Sequence, residues 1–321
     1  MYLHLVVDSK TVYCIPKHTA KLIDGMDRRM THEHKQTTSL SFEFFPPHNT
    51  DATLRLWRSV ERLAPLGPKY VSVTYGAGGT TRDRTVSAIK TIQSRARLNV
   101  AGHLTCVGAS KDETLEVARE YARMGVKRIV ALRGDAPKGL TKFVPHPDGF
   151  ANASELVACL RDVADFDIVV AAYPEKHPDA TDMAADIDNL KRKIDAGASS
   201  AITQFFFENE TFLRFRDACA KAGIIAPIIP GILPIENFAK TVSFSGKCHT
   251  NVPEWMHQAF RNAGDDTDIL ATAICSEQCD DLITEGVESL HFYTLNNPDL
   301  TYDICRALGF ETVALAAADV A

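Results

Sequence analysis

No apolar run in the sequence reaches the ~18–20 residues that a membrane-spanning helix needs, and the amino terminus lacks a basic flank followed by an apolar stretch and cleavage site. Neither a membrane protein nor an exported one is expected, and a cytoplasmic setting is. Blocks of like charge are also missing. The formal net charge of -6 comes from interspersed residues of both signs, so no nucleic-acid footprint or polybasic membrane patch is legible. Small neutral or anionic metabolites are the substrates left in view. The eight cysteines include no CxxC pair or closely spaced framework, which points to reduced, structural thiols. Cys275 and Cys279 stand one helical turn apart, but no His or carboxylate cluster completes a site around them, and no metal is assigned.

What is present suits one large core. A chain of 321 residues, 45% hydrophobic and 24% charged, exceeds the about 250 residues that a (β/α)8 barrel needs. From residue 40 onward, eight β-rich runs (40–45, 70–75, 100–105, 128–132, 167–172, 201–206, 228–232 and 289–294) alternate with segments of helical period. In the segment 111–124, Leu115, Ala118, Tyr121 and Ala122 share a face and Gly125 ends the pattern. This alternation predicts an α/β fold, a (β/α)8 TIM barrel, with an open doubly wound sheet as the alternative. The catalytic barrel is expected over 39–312 and a short tail over 313–321. Residues 1–38 carry four of the eleven histidines and read as an irregular, poorly ordered extension. The connection 244–285 is the longest; an extra helix is expected at 253–260, over the mouth of the barrel.

Catalytic groups of such a barrel come from the carboxyl ends of its strands. Glu43 lies between Phe42 and Phe44, so on a strand its side chain points away from theirs. Burial beside aromatic residues is expected to raise its pKa and let it serve as a general acid; a buried glutamate paired with an arginine is the structural alternative. The GAGGTT run at 76–81 does not fit GxGxxG and reads as a tight strand-to-helix turn. Arg133-Gly134-Asp135 ends a buried strand and is either a site or a structural ion pair. On the helix expected at 179–196, Asp186, Asn189 and Lys193 share a face flanked by Arg192, a pattern that a solvated face would also produce.

The strings FEFFPP, YVSVTYGAGGTTRDRT, GHLTC, IVALRGD, VAAYPEKHPDA, ITQFFF, PGILP and HFYTLN follow one another across residues 41–296. In this order they resemble the methylenetetrahydrofolate reductases, FAD enzymes that make 5-methyltetrahydrofolate, in the short bacterial form without the regulatory domain of eukaryotic members. The resemblance implies ping-pong chemistry: NADH or NADPH, with NADH favoured, reduces the FAD and leaves, and methylenetetrahydrofolate then takes its place and is reduced, supplying methyl groups for methionine synthesis. It implies that Glu43 gives the proton that opens the folate's five-membered ring and that Asp135 lies near flavin and folate. Gln204 would pair with the pterin, Phe244 would stack on whichever substrate is bound, and Lys240 falls in the substrate site. FAD would be held by Thr74, Tyr75, His103, Arg133, Gly134, Asp135, Tyr173, His177, Asp186, Asn189, Arg192 and Lys193. Members of the family are oligomers, so a homo-oligomer is expected. Two departures bear on the folate's distal end: Asn297 stands where many bacterial members have arginine, and Lys240 where a glutamine is usual. A non-redox barrel lyase or hydrolase, and a folate-binding scaffold without catalysis, are the competing classes; either would lack flavin turnover.

Overall fold

The computed structural model describes residues 2–8, 11–16, 38–76, 81–136 and 143–313. Most of the segment 17–38, the centre of the GAGGTT turn at 77–80 and the tail beyond residue 313 lie outside the described residues. The amino-terminal expectation needs one correction. β1 (Tyr2–Asp8) and β2 (Thr11–Pro16) pair antiparallel where irregular chain was expected, in keeping with the β-branched and aromatic content of these two runs.

A parallel sheet then forms from β3 (Ser39–Phe44), β4 (Tyr70–Val73), β5 (Val100–Thr105), β6 (Arg128–Leu132), β7 (Asp167–Ala172), β8 (Ser200–Thr203), β9 (Ile228–Ile229), β10 (Gly231–Ile232) and β11 (Ser289–Tyr293). β9 and β10 are the halves of the single strand expected at 228–232, split at Pro230, which has no N–H to give to a ladder. β9 pairs with β8, β10 with β11, and β11 with β3. The sheet therefore closes on itself as a barrel, and the open doubly wound alternative is excluded.

Ten α-helices are present among the described residues: α1 (Thr50–Leu63), α2 (Arg82–Ala96), α3 (Lys111–Arg123), α4 (Ala153–Arg161), α5 (Met183–Asp195), α6 (Asn209–Lys221), α7 (Phe238–Cys248), α8 (Glu254–Asn262), α9 (Thr267–Thr284) and α10 (Asp299–Ala307). None is long and apolar enough to cross a membrane. The helices start at the mouth of the barrel, where polar side chains cap them. The Asn49 side chain accepts from Ala52 N–H, Ser110 and Glu113 form a reciprocal capping box, and Asp182 accepts from Ala185 N–H. α5 starts at residue 183 rather than 179 because Pro178 and a turn in which Ala180 N–H donates to the His177 carbonyl occupy the preceding residues.

Strand alternation divides the core in two. On β3, Leu40, Phe42 and Phe44 are 3%, 0% and 1% exposed and pack outward against the helices. Each such side chain contributes roughly 1.5–3 kcal/mol through burial. Ser41 and Glu43 face the interior, which is filled by Tyr70, Ala101, Val130, Val169 and Ile202, with Leu132, Ile229 and Tyr293 against them. β8 ends at Thr203, short of the expected 206, because the phenylalanines that follow turn out of the ladder: Phe206 stacks on Phe212 of α6 and Phe205 on Phe244 of α7. The long connection does carry the extra helix, α8. It also reaches the mouth, since Thr250 Oγ1 donates to the Phe205 carbonyl at 3.3 Å and Asn251 N–H donates to the Glu175 carboxylate at 2.6 Å.

Candidate active site

Three strands bring one carboxylate and two imidazoles together inside the barrel mouth. Glu43 on β3, 15% exposed at its side chain, presents Oε2 to His103 Nε2 of β5 at 3.4 Å and to His291 Nε2 of β11 at 3.8 Å. Neither nitrogen has an aligned hydrogen-bond partner, so these are charge contacts that a ligand or a small movement can tighten. Burial raises the Glu43 pKa as expected, but the His291 contact and the fields of His103 and His291 outweigh it, and the carboxyl sits below its ordinary value. The expectation of a raised pKa from aromatic surroundings is thus corrected. Its structural alternative, an arginine partner, is not what the barrel provides either. His103 is itself held below the ordinary imidazole value, chiefly by burial.

Sequence reasoning passed over His291 and its support. The ring is 1% exposed and stacks on Tyr70 at 6.2 Å between centroids and 21° between planes; its Nδ1 lies 2.8 Å from Ser41 Oγ. Behind Tyr70, the Arg128 guanidinium lies 4.1 Å over the ring and pairs with Asp167. The signal was present in period two: His291 and Tyr293 occupy alternate positions on one strand, as Ser41 and Glu43 do on its neighbour.

A second cluster lies where β6 and β7 feed α5. Arg133 Nη1 donates to Asp179 at 2.8 Å, so the ion pair of the RGD run is made with a residue of the next unit and not with Asp135. Asp135 is exposed at the strand end, close enough to Tyr173 and Cys248 to raise the pKa of each. Tyr173 meets His177 edge-on at 4.6 Å, and burial pushes its phenol up to about 12. Asp186 is buried and accepts from His177 N–H at 2.7 Å. Lys193, 6% exposed, donates to the Ala171 carbonyl at 2.5 Å, and burial pushes its ammonium down to about 8 against the pull of Asp186. Arg192 stands exposed beside Asn189, whose amide oxygen it meets at 3.4 Å. The shared helix face expected from the sequence is therefore half buried and aimed at the site.

The other predicted residues are less gathered. Gln204 follows β8 and accepts Phe205 N–H on its own amide oxygen at 3.0 Å, while Phe244 stacks on Phe205 at 5.5 Å and 16°. Thr74 is fixed at the end of β4 by its N–H bond to the Phe44 carbonyl. Tyr75 lines a cleft of about 140 Å³ with Arg82, Thr105 and Glu113. Lys240 is exposed on the first turn of α7, near Glu236, a residue not anticipated from the sequence. Among the described residues no group of three or more His, Cys, Asp or Glu is placed to hold a metal.

A closed parallel barrel with an acid–imidazole cluster inside its mouth and a second cluster of charged side chains at the ends of its strands defines a protein of the (β/α)8 class. The family model for methylenetetrahydrofolate reductase matches residues 28–309, and the chain belongs to that family. It is 50% identical over 274 residues to 5,10-methylenetetrahydrofolate reductase of Escherichia coli (strain K12), covering 84% of this chain and 90% of the relative. Identity to methylenetetrahydrofolate reductase (NADH) 1 of Arabidopsis thaliana is 36% over 286 residues, 85% of this chain but only 48% of the plant protein. The fold also matches, at a TM-score of 0.54 and 16% identity, an uncharacterized Clostridium thermocellum protein that binds two copies of 5-methyl-5,6,7,8-tetrahydrofolic acid, with 88% and 98% of the two chains covered. The names of the relatives place this chain among the oxidoreductases.

Proposed function

We propose that this protein reduces 5,10-methylenetetrahydrofolate to 5-methyltetrahydrofolate with electrons from NADH or NADPH, using bound FAD in a ping-pong cycle that supplies methyl groups for methionine synthesis. The observation that carries the reading is Glu43, a carboxylate between two imidazoles at the mouth of a barrel of this family. The NADH in the plant relative's name favours NADH as donor.

The side chains at the strand ends beside Glu43 suit a dinucleotide cofactor. Lys193 is a buried ammonium that donates to a backbone carbonyl and feels the charge of Asp186, with Arg133, itself paired to Asp179, and Arg192 adding positive charge near it. That cluster suits a pyrophosphate. Asp186 would accept from sugar hydroxyls with the capacity that His177 N–H leaves, and Gly134 leaves the backbone open to close approach. Thr74, Tyr75, His103, Tyr173, His177 and Asn189 would complete the cofactor's surroundings. When bound, the flavin supplies the two-electron relay between nicotinamide and folate.

The chain's own work is to hold the folate and move a proton. Gln204 offers an amide to the donor and acceptor edge of the pterin, and Phe244 a ring face to its plane. Asp135 places negative charge where positive charge develops on the ring-opened folate. Glu43 gives a proton to the leaving nitrogen as the C–N bond opens. Because the two histidines favour the carboxylate, protonated Glu43 has to be regenerated in each cycle, and substrate that excludes water from the mouth pushes its pKa back up. Lys240 and Asn297, which stand where a glutamine and an arginine are usual, would meet the distal part of the folate.

Anaerobic stopped-flow tests each half of the cycle. The purified protein is expected to be yellow, to bleach with NADH or NADPH, and to recover its colour with methylenetetrahydrofolate. Glu43→Gln should still bleach, but should lose on the order of 10²–10⁴-fold in recovery rate, the size of a general-acid contribution. Normal recovery in that variant would remove Glu43 from the mechanism.

A further inference from the structure

Ser41 has one hydroxyl proton and two neighbours that want it. Its Oγ lies 3.2 Å from the Leu290 carbonyl, which can only accept, and 2.8 Å from His291 Nδ1, which can accept or donate. Giving the proton to Leu290 satisfies both contacts only if Nδ1 carries hydrogen and donates to Ser41. The other nitrogen, Nε2, then turns toward Glu43 Oε2 at 3.8 Å. A bare lone pair facing a carboxylate inside a barrel is repulsive, and with His291 1% and Glu43 15% exposed little water is there to screen it. The arrangement is relieved by one proton between them, carried either as imidazolium and carboxylate or as imidazole and carboxylic acid.

Resting on the reductase reading above, we propose that His291 is a positioning residue that keeps Glu43 supplied with its proton: Ser41 fixes the imidazole with hydrogen on Nδ1, so that the deliverable proton is shared between His291 Nε2 and Glu43. In the step itself, the Nε2–H bond breaks as a Glu43 O–H bond forms. That O–H bond then breaks as the substrate N–H bond forms, and the electrons of the opened C–N bond stay on that nitrogen. One proton leaves the pair in each turnover and returns from solvent through Glu43, the more exposed partner, when the mouth empties.

Polar and titratable groups face the pair from four strands. Ser41 lies on β3, Tyr70 on β4 with the Arg128–Asp167 ion pair behind it, His103 on β5 and Tyr293 on β11, edge-on to His291 at 5.3 Å. His103 is closer to Glu43, but burial disfavours its charged form. The 3.8 Å separation suits a resting state, since catalytic contacts often shorten only in the substrate complex.

The test compares both half-reactions across pH in His291→Gln and Ser41→Ala, together with the ¹⁵N imidazole spectrum of the native protein. The spectrum should show His291 with hydrogen on Nδ1. The native folate half-reaction should fall with rising pH as the pair loses its shared proton. In His291→Gln that limb should move to more acid pH by about one unit or more, with a loss of at least ~10-fold at pH 8, while bleaching by nicotinamide stays normal. Ser41→Ala leaves the imidazole in place and should show the same acid shift in weaker form, which carries the test if the glutamine variant does not fold. An unmoved limb in the folded variants, or a spectrum with hydrogen on Nε2 alone, overturns the proposal. If native protein fails to bleach or recover, or Glu43→Gln recovers normally, it is the underlying reductase or acid reading that falls.

Discussion

Gly134 shows how one residue joins fold and site. Its φ is +86°, in the left-handed region, and a Cβ there would lie 2.8 Å from Val107 Cγ1 and 3.2 Å from Thr105 Cβ, both on the strand-end segment next door. Backbone and space make the same demand, and the side chains it would strike are β-branched and buried, with little freedom to yield. Gly134→Ala should therefore lose ~1–3 kcal/mol in urea unfolding and retain less flavin after purification. An unchanged midpoint and full flavin content would show that the loop simply shifts. At this scale the sequence was informative about direction and silent about energy. The FEF alternation placed Glu43 inside the barrel, but its proton affinity depends on His103 and His291, which come from strands remote in the chain. No local pattern around residue 43 announces them.

At the scale of elements, strand and helix periods were legible because each strand is apolar toward the helices and each helix has one buried stripe. The ends were less so. The apolar run after Thr203 serves packing against α6 and α7 rather than the sheet, and the hydrophobic pattern cannot separate those uses. The turn from β10 into α7 holds a feature no motif marked: Glu236, whose carboxyl burial pushes up to about 7, against the opposing effects of an Asn297 hydrogen bond and the Lys240 charge. The sign of its effect on stability follows from linkage. An unfolded glutamate releases its proton near ~4.3, so the folded state binds that proton more tightly. The stabilisation is full below ~4.3 and is lost as pH rises through about 7. Glu236→Gln should melt higher than the parent at about pH 8.5 and gain nothing near about pH 4, which calorimetry at the two pH values can decide. Equal gains at both would mean the carboxyl is not buried in its neutral form.

The whole molecule depends on one seam. β9 and β10 are two residues each, split at Pro230, yet they join β8 to β11 and so complete the barrel. Side-chain bonds reinforce the seam: Gly231 N–H donates to Thr203 Oγ1 at 3.0 Å, and Tyr293 Oη donates to the Thr203 carbonyl at 2.7 Å. Any Cβ on Gly231 would run into that carbonyl and the Tyr293 ring, and the carbonyl belongs to the backbone of the facing strand and cannot swing aside. Tyr293→Phe removes one hydrogen bond but keeps the ring, leaving a buried acceptor short of a partner, and should cost on the order of 1–3 kcal/mol. Gly231→Ala forces the seam itself apart, displacing His291 and Glu43 along with β11 and β3. Its cost should exceed that of Tyr293→Phe, and the folate half-reaction should slow in any fraction that still folds. Denaturant midpoints at a constant slope measure both. A Gly231→Ala protein as stable as the parent would mean that the strands at Pro230 are held by the outer helices and that the interior seam contributes little to closing the barrel.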